Sequence, residues 1–460
     1  MDILSELFAA FSMQFVNALC DNSGADFGQR MQVIQNASNE MICQMIGAAL
    51  STLDDTLAKQ ASAEGEWMVL RKAERELETS FGCVRFWRRY YRNRHSGKTC
   101  HLLDVHLGIT AGQRVSNDVR HRAVVEAVEQ PYAASGRSSC PNGISKASVA
   151  NYLSDMQTVS ALKTDGVKRG VPHLYVEADE DHVALQNSKN AQVKLVYVHE
   201  GREKENGRTK LKNPQYLTWP LNKDTDSLWE HVASYIEDQY DTSALKQLFF
   251  SGDGADWIRA GEEWLPGCIP ILDGYHVSKA LMALTAHMPK ARDRAYKLLY
   301  EGDREAFKQF VVTILQAAPT EKDRHRKRKQ ANYLLNNWRR IQNRLLPNAQ
   351  GCSAEAHVSH ILSARLSSRP LGWSESNLVT MAQLRVMKAN GETIAYPSVS
   401  KCSPTMTNAL IPNKKTLSTA KKALKQSSTL AATSLPVLIA GKTNSLYQAL
   451  HGLCSDSFAS

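Results

Sequence analysis

The stretch Leu174-Tyr175-Val176-Glu177-Ala178-Asp179 alternates apolar and polar character over six residues. Side chains of a strand point to opposite faces in turn, so Leu174, Val176 and Ala178 make one face and Tyr175, Glu177 and Asp179 the other. Asp179 stands where this strand is expected to end and a ligand can approach; Glu177 and Asp181 share its face, which leaves the assignment within the acidic cluster open. Working outward, residues 192–199 and 215–219 also read as strands, the latter ending at Trp219-Pro220. A helix follows with Leu228, Val232, Tyr235 and Ile236 on one face. Strands at 247–251 and 268–272 come next, closing on Asp253 and Asp273.

Three strands, a helix, a strand, a helix and a strand is the element order of a ribonuclease-H-like core. In such a sheet, acids at strand ends converge at one edge. Asp253, in Ser251-Gly-Asp-Gly-Ala, is bracketed by glycines that let the backbone turn and leave room for a phosphate, although plain turns use the same residues. Glu355, in Cys352-Ser-Ala-Glu-Ala-His, lies one turn before Val358, Ile361 and Leu362, so it flanks a buried helical stripe and is expected to point toward the sheet. A buried acid needs a partner; a metal ion is one, and the positive end of a helix is another. Two cations about 3.5–4 Å apart would activate a nucleophile and stabilise a leaving oxygen in phosphoryl transfer. Asp273 and His276, one helical turn apart, are suited to orienting water or a phosphate backbone, and equally to a structural hydrogen bond.

The flanking segments are basic. Between Cys83 and Cys100 lie Arg85, Arg88, Arg89, Arg92, Arg94 and Lys98 without one acid, interleaved with Phe86, Trp87, Tyr90 and Tyr91. A hairpin of this kind, turning at Ser96-Gly97, can neutralise phosphates and stack on bases; a solvated face is the plain alternative. Cys83, Cys100, His101 and His106 match no zinc spacing. Residues 108–165 read as a helix-turn-helix: a helix from Val115 to Glu129, a short one from Pro131, then a third capped by Ser145. In that motif the start of the last helix reaches base edges, which nominates Lys146, Ser148 and Asn151. Between 322 and 344 there are nine Lys+Arg and one acid, nominating Arg326, Lys327, Arg328 and Lys329 as further nucleic-acid contacts.

The chain of 460 residues has 56 Lys+Arg against 46 Asp+Glu, a net charge of +10 that favours polyanions. Hydrophobic content of 43% and charged content of 22% are ordinary for globular domains. Nine cysteines, an odd number without a CxxC pair, fit free thiols in a reducing compartment. Acids at Asp2 and Glu6 do not suit a signal peptide, and no apolar run is long enough to span a membrane. The expected location is the cytoplasm, on the nucleoid.

The expected fold is multidomain α+β. Residues 1–80 form a helical region (a bundle or dimerisation arm), 81–107 a basic β-hairpin and 108–165 the helix-turn-helix. The ribonuclease-H-like α/β catalytic core occupies 170–275 and 347–396, split by an α-helical insertion at 276–346. A basic tail fills 397–460, with Leu435-Pro-Val-Leu-Ile-Ala and Leu446 to Leu453 packing back at its end.

The ordered set Glu-Ala-Asp (177–179), Gly-Asp-Gly-Ala-Asp-Trp-Ile (252–258), Leu-Asp-Gly-Tyr-His (272–276) and Ala-Glu-Ala-His-Val-Ser-His-Ile-Leu-Ser-Ala-Arg-Leu-Ser-Ser-Arg-Pro-Leu-Gly-Trp (354–373) resembles the ISLre-type insertion-sequence transposases. These are also described as an uncharacterised protein family with transposase-like members. More distantly the chain is similar to Mutator-type transposases. The resemblance runs from about 83 to 396. It implies a DDE triad of Asp179, Asp253 and Glu355 that binds two Mg²⁺ (or Mn²⁺) ions, with Asp273 and His276 as an accessory motif. The 74 residues from Asp179 to Asp253 agree with it, and the 102 from Asp253 to Glu355 leave space for an inserted helical domain. Glu180 departs from the pattern, where Gly is expected. The implied activity is cleavage of double-stranded DNA at element ends and attack of the freed 3′-hydroxyl on target DNA, by a homo-oligomer. A DNA-binding regulator that keeps the fold without catalysis, or a ribonuclease-H-like nuclease that does not join, would use the same residues.

Overall fold

In a computed structural model the chain is described over residues 3–20, 24–156, 162–221, 224–369 and 372–395. The basic tail, with its apolar segments near 435 and 450, lies outside the described residues. The described residues are mixed α/β and divide into two compact units, one reaching to Ala127 and including Pro131–Val149, the other Val128–Gln130 with Ala150–Ala395.

In the first unit, α1 (Ile3–Cys20) leads to the long α2 (Phe27–Glu64), whose start is fixed by a capping box between Asp26 and Gln29. Gly65, at φ 70°, ends it. The helical reading of residues 1–80 therefore fails beyond Glu64: Trp67–Thr79 is a strand, β1, and pairs along its whole length with β2 (Gly82–Asn93). The hairpin expected around Ser96-Gly97 exists but is the minor one, joining β2 to β3 (Thr99–Cys100). The cause of the miss is charge: Glu74, Glu76 and Glu78 of β1 stand opposite Trp87, Arg85 and Cys83, so the acids missing from the basic stretch come from its partner. α2 crosses this ribbon closely, and a Cβ at Gly47 would collide with the Arg85 carbonyl. α3 (Leu102–Leu107) closes this part.

α4 (Asn117–Ala127), α5 (Tyr132–Ser138) and α6 (Lys146–Ser154) follow the expected three-helix pattern. Val119, Val124 and Val128 are buried as read, whereas Val125 is exposed. The turn before α6 requires two glycines: Gly143 has φ 66°, and a Cβ at Gly136 would collide with the Ile144 carbonyl. Ser145 caps α6, its hydroxyl accepting from the Ser148 amide at 3.1 Å.

The second unit is built on a five-stranded sheet of β4 (His173–Ala184), β5 (Asn190–His199), β8 (Gln215–Thr218), β9 (Gln247–Gly252) and β10 (Ile269–Leu272), with β6 (Arg202–Glu205) and β7 (Arg208–Leu211) as a side hairpin. The spatial order is β10-β9-β4-β5-β8. β4, β5 and β8 pair antiparallel, while β9 and β10 join parallel to β4. The parallel joins need crossovers, and α7 (Thr225–Gln239) and α8 (Asp256–Trp264) supply them. The apolar face of β4 packs with Val196, Val198, Leu217 and Phe250 against Leu228, Trp229, Val232 and Ile236 of α7 and Ile258 of α8. Each such fully buried side chain contributes about 1.5–3 kcal/mol. The alternation of 174–179 is thus borne out, but β4 does not stop at Asp179; its pairing with β9 ends at Glu177, while its pairing with β5 continues to Ala184.

The helical insertion has its own core. α9 (Gly274–Thr285), α10 (Arg292–Glu301), α11 (Arg304–Gln316), α12 (Glu321–Asn336) and α13 (Trp338–Gln342) bury Val277, Leu281, Leu299, Phe307, Ile314 and Leu334 together. The chain returns through α14 (Ala354–Val358), a π-helical turn at Ser359–Ser363, α15 (Ala364–Leu366) and α16 (Glu375–Ala389). Among the described residues no helix is long and apolar enough to cross a membrane.

Candidate active site

The parallel register lines up three acids. Glu177 pairs with Ser251, and Gly252 with Leu272. Asp179 lies two residues past its strand's last pair with β9, and Asp253 and Asp273 each one residue past the end of β9 and β10, so the three acids follow the same end of these pairings.

Each acid is held differently. Asp179 is 6% exposed. Its Oδ1 accepts from the Glu180 amide at 2.9 Å, and among the described residues no cationic side chain pairs with it. Burial, joined by the charges of Glu355, Asp253 and Glu180, outweighs that amide and pushes its carboxyl up to about 8. Asp253 sits in a loop pinned from two sides. Its Oδ1 accepts from the Ala255 amide at 2.7 Å, and its carbonyl accepts from the Tyr333 hydroxyl of α12 at 2.6 Å. The glycines around it are needed because neighbours approach. A Cβ at Gly252 would lie 3.0 Å from the Ala178 carbonyl, and Gly254 combines φ 84° with Asn337 Oδ1 at 3.1 Å from such an atom. The insertion thus braces the Asp253 loop through Tyr333 and Asn337.

Asp273 is buried and caps α9, accepting from the Tyr275 amide at 3.2 Å. Burial raises its carboxyl, against the Tyr275 amide and the nearby His276 and Arg344. His276, in the first turn of that helix, has an Nε2 shielded from solvent and without a hydrogen-bond partner. One ligand atom each from Asp179, His276 and Glu355 lie within 4.8 Å of one another. The donors fit a divalent cation: a buried carboxylate without a cationic partner, an exposed one, and an orphaned imidazole nitrogen. Of the expected triad, Asp179 and Glu355 meet directly, Asp253 reaches Asp179 through its charge, and His276 stands closer to the centre than an accessory role implies.

The acids of the cluster around Asp179 differ in their partners. Glu177 accepts from the Tyr197 hydroxyl at 2.5 Å, His199 Nε2 at 3.1 Å, the Ser353 amide at 2.6 Å and the Ser353 hydroxyl at 3.2 Å. Burial opposes its ionisation, but these donors prevail and hold the carboxyl down at about 2. Asp181 accepts from Ser367 at 2.8 Å. Glu180, on the opposite face, accepts from Trp257 Nε1 at 2.5 Å. Glu177 is therefore an anchor for the segment entering α14, two residues before Glu355. Beyond it, His357 Nδ1 stands 3.0 Å from the Tyr216 hydroxyl, so the Glu355 arm is fastened on both sides. Sequence reading missed Tyr197, His199 and Tyr216; their signal was a polar face on β5 and β8 matching that of β4.

A cleft of about 490 Å³ opens beside these groups, lined by Asp273, Tyr275, Arg344, Ser353, Glu355 and His360. The Arg344 guanidinium lies against Gly274, in space that a Cβ there would fill. Among the described residues it has no hydrogen-bond partner, and nothing in the sequence singled it out.

The nominated nucleic-acid contacts divide. Arg85 pairs with Glu76 at 2.7 Å, Arg88 with Asp104, and Arg89 with Asp54 at 2.6 Å and Asp55 at 2.7 Å. Arg92 and Arg94 are exposed and form no ion pair among the described residues. Lys146 and Asn151 are exposed on α6, while Ser148 is engaged with Ser145. On α12, Arg326, Arg328 and Lys329 carry the basic face, but Lys327 is 7% exposed and lies on the packed side with Ala331 and Leu334, which corrects its nomination.

Known relatives span most of the chain. A UPF0236 protein of Caldanaerobacter subterraneus subsp. tengcongensis is 34% identical over 435 residues, covering 94% of each chain. A second from the same organism is 32% identical over 457 residues, covering 98% of this chain and 97% of its own, and its name joins eleven locus designations. A UPF0236 protein of Streptococcus gallolyticus, named for its position in the vanSb 3′ region, is 21% identical over 381 residues, 77% of this chain and 81% of its own. With residues 22–400 matching that family as well, the chain belongs to the uncharacterised protein family UPF0236.

Proposed function

We propose that the chain is a DDE-type DNA transposase of an insertion sequence, with a ribonuclease-H-like catalytic core. The observation that carries this reading is the meeting of Asp179 and Glu355, with Asp253 within reach of their charge, on a sheet of order β10-β9-β4-β5-β8. That order, with three antiparallel strands followed by two parallel ones, is the one expected of such a core. The relative whose name joins eleven loci of one organism adds support, since a self-copying element leaves repeated genes behind.

Asp179, Asp253 and Glu355 would hold Mg²⁺ or Mn²⁺. Bound divalent cations activate an attacking oxygen and offset charge on a leaving one. Asp179 keeps its proton near neutral pH until a cation takes its place, because burial and three acidic neighbours disfavour the bare carboxylate. Tyr333 and Asn337 keep the Asp253 loop from drifting. Glu177 holds the arm that carries Glu355. Arg344, free of hydrogen-bond partners among the described residues, is suited to a phosphate oxygen in the cleft, and the half-exposed Tyr275 offers a ring face to a base. Double-stranded DNA is the partner, as element end and as target, with more than one copy of the chain acting on a pair of ends.

The test is cleavage and joining of labelled duplexes carrying the element's ends, with Mg²⁺ or Mn²⁺. Asp253→Asn is expected to abolish cleavage and leave duplex binding intact, since it removes one charge with little change of shape. Duplex binding by the native chain without any cleavage would return the regulator reading. Cleavage without joined product would return the nuclease.

A further inference from the structure

We propose that His276 is itself a metal ligand, its Nε2 joining one carboxylate oxygen from Asp179 and one from Glu355 in a three-donor site that favours Mn²⁺ over Mg²⁺. The site rests on the phosphoryl-transfer reading only for what the ion does, not for its presence.

Three observations converge. One carboxylate oxygen each from Asp179 and Glu355 and one ring nitrogen of His276 lie within 4.8 Å of one another. Ligands of one small divalent ion, with bonds of about 2.0–2.2 Å, are about 3 Å apart when adjacent and about 4.0–4.4 Å when opposite, so the three donors complete the site by drawing in around the ion. Second, His276 Nε2 is shielded from water and has no hydrogen-bond partner, which leaves its lone pair open to a ligand. Third, the ring is stiffly mounted. Asp273 caps the helix that carries it, and the next residue, Val277, is fully buried in the core of the insertion.

The donor set decides the preference. A site of oxygens alone suits Mg²⁺, which demands hard ligands and near-ideal octahedral geometry. An imidazole nitrogen shifts affinity toward Mn²⁺ and the later ions of the series. Asp253, held back in its own loop by the Ala255 amide and by Tyr333, is left for a second ion of oxygen character.

The experiment uses the full chain without DNA. Mn²⁺ binding is followed by electron paramagnetic resonance, and the bound fraction is read for ¹⁴N coupling. The native chain is expected to bind Mn²⁺ with a nitrogen in its coordination shell. His276→Ala should remove the nitrogen signal and weaken Mn²⁺ binding by about 10-fold or more. His276→Asp, which restores a hard donor, should bind Mg²⁺ at least as well as the native chain while showing no nitrogen coupling. Circular dichroism of both variants checks that the helices persist. Mn²⁺ bound to the native chain without nitrogen coupling, coupling that survives His276→Ala, or no Mn²⁺ binding below about 1 mM would each overturn the assignment. Because no DNA is present, a failed strand-transfer assay leaves this result standing. A negative result here leaves the cleavage assay of Asp253→Asn to decide the activity on its own.

Discussion

Replacing Asp179 with Asn should stabilise the metal-free protein, and by an amount that depends on pH in a defined way. In the unfolded chain this carboxyl ionises near 3.8, and in the folded one near 8. Between those values the folded protein holds a proton that the unfolded chain has released, so native stability falls as pH rises. The loss is about 1.36 kcal/mol per pH unit, over about four units, which sets a ceiling on the order of 5 kcal/mol. Relaxation and water entry in a real protein reduce this to about 2 kcal/mol. For a unit of this size, that is a shift of about 4–8 °C in thermal midpoint. Asparagine carries no such penalty. The groups facing this position are Glu355 and His276, Asp253 from the loop after β9, and Glu180 beside it. Thermal unfolding in EDTA should therefore give matching midpoints near pH 4, a growing advantage for the variant from pH 4 to 8, and a constant gap above. Saturating Mn²⁺ should raise the native midpoint and leave that of the variant nearly unmoved. Parallel curves for the two proteins from pH 4 to 9 would refute the account of Asp179 as a buried acid awaiting a cation.

Glu177→Gln removes a buried charge that three residues donate to, and should cost about 2–4 kcal/mol in denaturant unfolding while weakening Mn²⁺ binding, because the arm bearing Glu355 loses its tie at Ser353; a variant with native midpoint and native affinity would show that Ser353 is held by other means. Arg92→Ala with Arg94→Ala should weaken binding to any duplex and lower the salt slope by about one for each phosphate no longer neutralised, read by fluorescence anisotropy across a salt series. Arg89→Ala should instead lower the melting temperature, since Asp54, 0% exposed, keeps the amide of that residue but loses the guanidinium that pairs with its charge.

The reach of sequence reading follows the range of the forces involved. Alternation in 174–179 and the helical stripe Leu228, Val232, Tyr235, Ile236 are local signals, and both elements formed, although the strand runs on to Ala184 past the end that was read for it. β1 was missed because Glu74, Glu76 and Glu78 have low strand preference, and what makes the segment a strand is its pairing with the arginine-rich β2. Lys327 was misjudged because a run of like charges hides helical phase, and its own position is the one that turns inward. The role of Glu177 was illegible for a stronger reason. Its decisive donor, Ser353, lies 176 residues away, and only the closed sheet brings them together.

That same 176-residue link sets an order of events during synthesis. The sheet, whose last strand ends at Leu272, leaves the ribosome well before Ser353 can close on Glu177 and seat Glu355 next to Asp179. On the proposed activity, a growing chain is therefore harmless to DNA nearby, and a premature stop anywhere upstream of α14 yields a product with basic surfaces but no third acid. Copies of the gene truncated by mutation would then survive as competitors for the same DNA rather than as uncontrolled cutters, a form of self-limitation that comes from chain order alone.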